Sequence, residues 1–282
     1  MKTNILDAIY NIVKNGNYLI NPIETGRNRA NNKGEALENF IKDAFANTFS
    51  SNNEMERLEN YNKVFSWLGS QNNPPDIMIK NGDAIEVKKI ENINSALALN
   101  SSYPKAYLDS NSKMITKDCR DCEDWTKKNL IYCVGFLPTT QLKSLWLVYG
   151  DIYSANQQTY ERIKESISSG ITTIPDIVFS ETKELGRVNN VDPLGITNLR
   201  IRGMWQIENP RKVFDYLHDQ TNNQFELVSI IPKSKYNSFS KISIDRFEQL
   251  IGKELSMINT KVKDPNNPAK FIEVKYIKYI IE

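Results

Sequence analysis

Between Pro74 and Lys89 the chain threads charged side chains through two short apolar runs, Asp76 to Lys80 and Asp83 to Lys88, on either side of Asn81-Gly82. Asn-Gly between such runs is a hairpin signal. Side chains alternate along a strand, so Glu86 and Lys88 share one face while Ile85 and Val87 take the other. A buried face holds charge only at a cost. Register then decides where Asp76 goes. A two-residue Asn81-Gly82 loop pairs Ile77 with Glu86 and turns Asp76 to the opposite face. A three-residue loop, Lys80-Asn81-Gly82, pairs Asp76 with Glu86 and puts Gly82 where such loops want a left-handed residue. The second register is the expectation adopted here.

Two carboxylates facing each other across adjacent strands repel, and a divalent cation resolves that repulsion. Oxygen ligands with no His or Cys nearby favour magnesium over zinc. Lys88, beside Glu86, can then stabilise an attacking hydroxide or the charge developing on a phosphate, while the metal lowers the pKa of bound water. This is the chemistry of phosphodiester hydrolysis. By spacing alone, the same residues also describe a solvent-exposed hairpin whose Asp and Glu face water.

The rest of the chain limits the fold. At 282 residues with 40% apolar content it can bury a sizeable core. Thirty-six Lys and Arg against 34 Asp and Glu leave a net charge of +2, so a nucleic-acid partner must be met by a local patch. Three cysteines in so long a chain suggest a reducing compartment, by default the cytoplasm. Ile5, Leu6, Ile9, Ile12 and Val13 form a helical stripe unlike a signal peptide, and runs such as Leu145 to Tyr149 are far shorter than the ~20 residues of a membrane span. No membrane partner is expected.

Ala36, Leu37, Phe40, Ile41, Ala44 and Phe45 predict a helix from Gly34 that carries Glu35 and Glu38, after an Asn- and Gly-rich loop from Asn15 to Lys33. A second helical stretch covers Glu54 to Trp67. Strands are expected at Leu130–Phe136, Leu145–Tyr149, Asp176–Phe179 and Glu226–Ile231, with helices near Asn156–Ser168, Phe214–Asp219 and Ile244–Leu255. Ala269 to Glu282 fits either state. The alternation, without repeats or a long linker, predicts one α/β domain over residues 1–282, with an N-terminal helical part and a C-terminal extension.

A second unusual segment runs from Asn189 to Trp205. A strand there presents Arg200 and Arg202 on one face. The arginine fork suits O6 and N7 of guanine, and Asn189, Asn190 and Asn198 can supply adenine or phosphate contacts. An edge strand with exposed arginines fits the same pattern. From Arg200 to Lys212 four basic residues stand against Glu208 alone, and Arg27, Arg29, Lys33 and Lys105 are further candidates for phosphate contact. Cys119, Cys122, Cys133 and His218 could in principle hold zinc, but a single C-x-x-C lacks the second close pair of a zinc ribbon.

Pro75-Asp76, nine intervening residues and Glu86-Val87-Lys88 resemble the PD-(D/E)XK nuclease motif. Gly69 to Asp76, Gly82 to Lys89 and Ala98 to Lys105 are similar to the NgoPII family of type II restriction endonucleases, the likeness extending from about Asn31 to about Phe214. The resemblance implies a restriction-endonuclease-like central mixed β-sheet flanked by helices. It implies Mg2+ held by Asp76, Glu86 and Val87, Lys88 assisting the attacking water, and a further acid from the preceding helix, Glu35 first and Glu38 second. It also implies a restriction-modification enzyme acting on double-stranded DNA at a GGCC-like palindrome, with Arg200 and Arg202 reading guanine. Two-fold symmetry in the site calls for a homodimer. A repair nuclease of the same fold and a non-catalytic DNA-binding module remain as rivals.

Overall fold

In the computed structural model, which describes residues 3–20, 29–51, 53–70, 73–218 and 223–282, three helices come first: α1 (Ile5–Asn15), α2 (Arg29–Ala46) and α3 (Glu54–Val64). They lead into β1 (Phe65–Trp67), β2 (Ile77–Ile79), β3 (Ala84–Ile90), β4 (Leu97–Asn100) and β5 (Tyr107–Asp109). After α4 (Lys117–Asp121) come β6 (Lys127–Phe136), β7 (Ser144–Tyr149) and α5 (Gln157–Thr172). Then follow β8 (Gly186–Val188), β9 (Leu199–Ile201), β10 (Trp205–Ile207), α6 (Pro210–Val213) and β11 (Phe225–Pro232). The chain closes with α7 (Lys233–Tyr236), α8 (Lys241–Glu248), β12 (Leu255–Asp264) and β13 (Asn267–Ile281).

The main sheet has nine strands in the order β1-β2-β3-β6-β7-β11-β13-β12, with β5 added against the start of β6. The β3–β6 and β7–β11 pairs are parallel and the remaining pairs antiparallel, so the sheet is mixed and flanked by helices. Every residue of β7 and β11 is buried, which explains why both read as largely apolar stretches rather than alternations, with Glu226 and Ser229 buried within β11. The α1 stripe of Ile5, Leu6, Ile9 and Ile12 is buried as expected. Asn4 starts that helix by accepting the Leu6 N–H at 2.9 Å, while Asp7 returns the bond to the Asn4 N–H at 3.2 Å. In α2, Leu37, Ile41 and Ala44 lie fully buried, and Leu37 comes so close to Gly135 of β6 that a Cβ there would stand 2.7 Å from its Cδ2.

The β2–β3 hairpin has the longer loop. Ile77 pairs with Ile85 and Met78 with Ala84, and the Ile79 N–H donates to the Asp83 carbonyl at 3.0 Å. The left-handed residue, however, is Asn81 (φ 52°), not Gly82. Gly82 serves instead to let Ile79 close over the turn, since a Cβ there would lie 2.8 Å from Ile79 Cγ2.

Several boundaries move. The helix expected at Glu54–Trp67 stops at Val64, because Phe65–Trp67 finds a sheet partner in β2. Asp176–Phe179 is not a strand: it pairs with no named strand, and Val178 is 85% exposed. The helix expected at Ile244–Leu255 starts earlier, at the Ser240 cap, and ends at Glu248, freeing Leu255 to open β12. The ambiguous C-terminus is strand β13, held by β11 on one side and β12 on the other. Of the helix expected at Phe214–Asp219, Asp219 lies outside the described residues and the part before it forms a 3-10 turn at Asp215–Leu217. No helix among the described residues is long and apolar enough to cross a membrane.

The α2 helix begins at Arg29, five residues before the expected start, so Gly34 lies inside it with open space around its α-carbon. Gly34→Ala is therefore expected to stabilise the protein by roughly 0.5–1 kcal/mol, and Gly135→Ala to cost about 1–3 kcal/mol by pushing α2 off the sheet. Urea unfolding midpoints of the two variants check both signs.

Candidate active site

The register of the hairpin brings the two acids together. One step beyond the Ile77–Ile85 pair, Asp76 faces Glu86, and Asp76 Oδ2 accepts the Val87 N–H at 2.6 Å. Lys88 leans back along its own strand, its Nζ 2.6 Å from Glu86 Oε1. Glu86 Oε2 is buried without a hydrogen-bond partner. All three side chains open onto one cleft of about 880 Å3 that Arg200, Arg202 and Met204 also line.

Three devices hold this geometry. At the turn, the buried Asp83 accepts from Tyr149 Oη at 2.7 Å and Lys235 Nζ at 2.6 Å, tying the start of β3 to β7 and α7. The buried Lys128 donates to the carbonyls of Ile79 and Gly82, each at 2.9 Å, and pairs with Glu123. Before β2, Trp67 Nε1 donates to the Pro75 carbonyl at 3.1 Å and Asn73 Nδ2 to the Met114 carbonyl at 2.8 Å. Gly69, at φ 92°, passes so close to Asp76 that a Cβ would meet its carbonyl oxygen at 2.6 Å. The sequence signals Asp83 and Lys128 only as charges on strands. What makes them anchors is burial, which no local pattern reveals.

Burial, reinforced by Glu86, pushes the Asp76 carboxyl up to about 7, against the pull of Lys88 and the Val87 N–H. Burial works the other way on Lys88, but Glu86 and Asp76 outweigh it and hold its ammonium above the usual lysine range. The charge of Glu38 on α2 reaches both groups. Glu38 is half-buried and in an ion pair with Lys42 at 2.6 Å, whereas Glu35, the first-choice acid of the sequence reading, is exposed. Neither lines the cleft.

Other expected residues fall differently. Arg200 and Arg202 do lie together on the cleft wall. Asn189, Asn190 and Asn198 sit on an exposed loop and do not line the cleft. There Asn189 bonds Arg187 and Ser180, and Asn198 accepts the Asn190 N–H. Lys105 is no surface phosphate contact: it is buried behind Glu86, donating to Ser102 Oγ and to the Tyr103 carbonyl at 3.3 Å, and burial pushes it down to about 8. Lys33 is likewise buried, 3.4 Å from the Pro138 carbonyl and 3.5 Å from Glu91. Arg27 and the side chain of Arg29 lie outside the described residues.

The donor set fits a hard divalent cation: two carboxylates, one with a buried oxygen lacking any partner, and only oxygen donors between them. Val87 gives its N–H to Asp76, so only its carbonyl is left as a ligand. Among the described residues no group of three or more His, Cys, Asp and Glu is arranged to hold a metal, so backbone, water or substrate oxygens must complete the shell. The zinc alternative finds no support there either. Cys119 Sγ lies 3.5 Å from Met78 Sδ, Cys133 is sealed in β6, and His218 is buried against Tyr276 and Glu226.

Residues 3–263 match a family described as NgoPII restriction endonuclease. The chain belongs to that family. The type II restriction enzyme NgoPII of Neisseria gonorrhoeae is 47% identical over 278 residues, which span 98% of this chain and 99% of that protein. No solved structure matches the chain significantly. As a member of the NgoPII family the protein is a type II restriction endonuclease, a class whose enzymes generally use a divalent metal.

Asp76 takes up a proton in the folded state near pH 7 but only near 4 when unfolded. Its contribution to stability is therefore complete below about pH 4 and lost as pH rises through about 7. Without metal, Asp76→Asn should be more stable than wild type at pH 8, by on the order of 2 kcal/mol, and nearly equal at pH 4. Denaturant melts in EDTA at the two pH values measure it.

Proposed function

We propose that the protein hydrolyses phosphodiester bonds in double-stranded DNA at a GGCC-like palindrome, using Mg2+ bound by Asp76 and Glu86, as a cytoplasmic homodimer within a restriction-modification system. The observation that carries the proposal is the convergence of Asp76, Glu86 and Lys88 in a cleft that Arg200 and Arg202 also line. Bound there, a divalent ion supplies Lewis acidity at the scissile phosphate and lowers the pKa of water. Asp76 and Glu86 hold it, and Glu86 in turn orients the Lys88 ammonium. Lys88, kept charged by its two acidic neighbours, faces the water and the charge that develops on the phosphate. Glu38 adds a further negative charge from α2, drawing a cation into the site. In the same cleft, the two guanidinium groups offer the planar forks that suit guanine. A palindrome read by one such pair per half-site requires two copies.

Digesting a sequenced plasmid with Mg2+ and then with EDTA tests metal, activity and site together. Discrete fragments ending at one short palindrome, absent with EDTA, are expected. Uncut intact duplex would favour the repair reading. Asp76→Ala and Lys88→Ala should retain duplex binding while losing cleavage by about 10²–10⁴-fold or more, and binding without cleavage in wild type would favour the non-catalytic rival. Glu38→Gln should reduce the rate more than Glu35→Gln in the same assay.

A further inference from the structure

The arginines on the cleft wall are not loose. Arg200 donates from Nε to Glu184 Oε2 at 2.9 Å and from Nη2 to Oε1 at 2.6 Å. Arg202 Nε lies 3.1 Å from the same Oε1, and its Nη2 donates to Ser101 Oγ at 3.2 Å. The Glu184 side chain is 16% exposed, whereas both arginine side chains are 56% exposed, so the carboxylate sits beneath the two guanidinium groups. Its backbone is fixed as well. The Glu184 N–H donates to Thr182 Oγ1 at 3.1 Å, and the next residue, Leu185, donates its N–H to the Ile201 carbonyl at 3.1 Å.

We propose that Glu184 is a specificity-determining positioning residue, one carboxylate that orients both Arg200 and Arg202 for the guanines of the recognition site. The proposal rests on the reading of those arginines as guanine contacts. The chemistry follows from the fork. A guanidinium has five N–H donors. Arg200 commits its Nε and one Nη2 donor sideways to Glu184, which leaves the outer Nη1–Nη2 edge intact. That edge is the one able to donate two parallel bonds to O6 and N7 of a single guanine. Two cations two residues apart on a strand repel; a shared anion between their stems removes the repulsion and fixes their spacing. Side chains ordered before binding lose less freedom on meeting DNA, and a fork held in one orientation rejects a base that offers a donor where guanine offers an acceptor.

The test measures KM and kcat of the full-length enzyme on short duplexes. One carries its mapped cleavage site and others replace single G·C pairs by A·T. Glu184→Gln keeps the size but removes the charge, Glu184→Ala removes the contact, and Glu184→Asp keeps the charge on a shorter stem. Expected are a rise in cognate KM of about tenfold to a hundredfold for Gln and Ala, a smaller effect on kcat, reduced discrimination against the substituted duplexes, and partial recovery in Asp. Unchanged or tighter cognate binding overturns the proposal, as does a loss confined to kcat. Arg200→Ala and Arg202→Ala are run alongside. If they discriminate as well as wild type, the guanine-contact reading itself fails. If they lose discrimination while the Glu184 variants keep it, the role of Glu184 alone falls.

Discussion

Everything at this site depends on two negative charges held face to face on neighbouring strands. The hairpin register puts Asp76 opposite Glu86, and the surrounding protein removes most of the water that would soften their repulsion. The molecule answers with one cation of its own, Lys88, and with a proton that Asp76 retains up to about pH 7. Neither answer satisfies Glu86 Oε2, which stays buried and without a partner. Such a site is less stable than the same strands with neutral side chains, and a functional site is where a fold tolerates this kind of loss.

The tolerance has to be maintained from outside. Asp83, Lys128 and Gly69 do not touch the cleft, yet each fixes a piece of backbone that leads to it. Asp83 and Lys128 are themselves buried charges, but they are satisfied ones: Asp83 accepts from a hydroxyl and an ammonium, and Lys128 donates to two carbonyls and pairs with an acid. The hairpin thus has a balanced network at its turn and an unbalanced pair at its open end. Repulsion between Asp76 and Glu86 cannot relax by peeling β2 from β3, because the turn is anchored and Asp76 is clamped to the Val87 N–H.

How far this was readable without coordinates follows the range of the interactions. Alternation and a choice of loop length reached the register, and hence the meeting of Asp76, Glu86 and Lys88, because those are contacts within fourteen residues of chain, although the left-handed residue is Asn81 and not the Gly82 on which that choice leaned. The largely apolar runs of β7 and β11 and the stripes of α1 and α2 were legible for the same reason. Contacts across the sequence were not. Whether Glu35 or Glu38 is the exposed one depends on the rotation of α2 against β6, and Lys105 looked like a surface cation until its burial behind Glu86 was seen. Glu184 stands sixteen residues before Arg200 in a stretch with no periodicity, and only the β8–β9 ribbon brings it back beneath the arginines. Asp176–Phe179 failed in the opposite sense, having strand composition but no strand to pair with.

The cleft brings a pair of arginines and a pair of carboxylates onto one space, and this separates recognition from reaction in the proposed mechanism. In that mechanism Arg200 and Arg202 would attract DNA through its phosphates and its guanine edges, and nothing in that attraction requires a metal. Asp76 and Glu86, with only Lys88 against them once Asp76 gives up its proton, would repel a phosphate unless further positive charge is brought in. A duplex therefore can be held by the arginines while its scissile phosphate is kept off the carboxylates. On that proposal a bound divalent ion would change the balance at one place only, and its removal would cost catalysis far more than grip. Because Glu184 screens the arginine charge, their attraction is also less general than two free arginines would exert, and what remains is concentrated in the outward N–H edges. In the proposed mechanism sequence discrimination thus arises from hydrogen-bond geometry at the arginines, and commitment to cleavage from charge at the carboxylates.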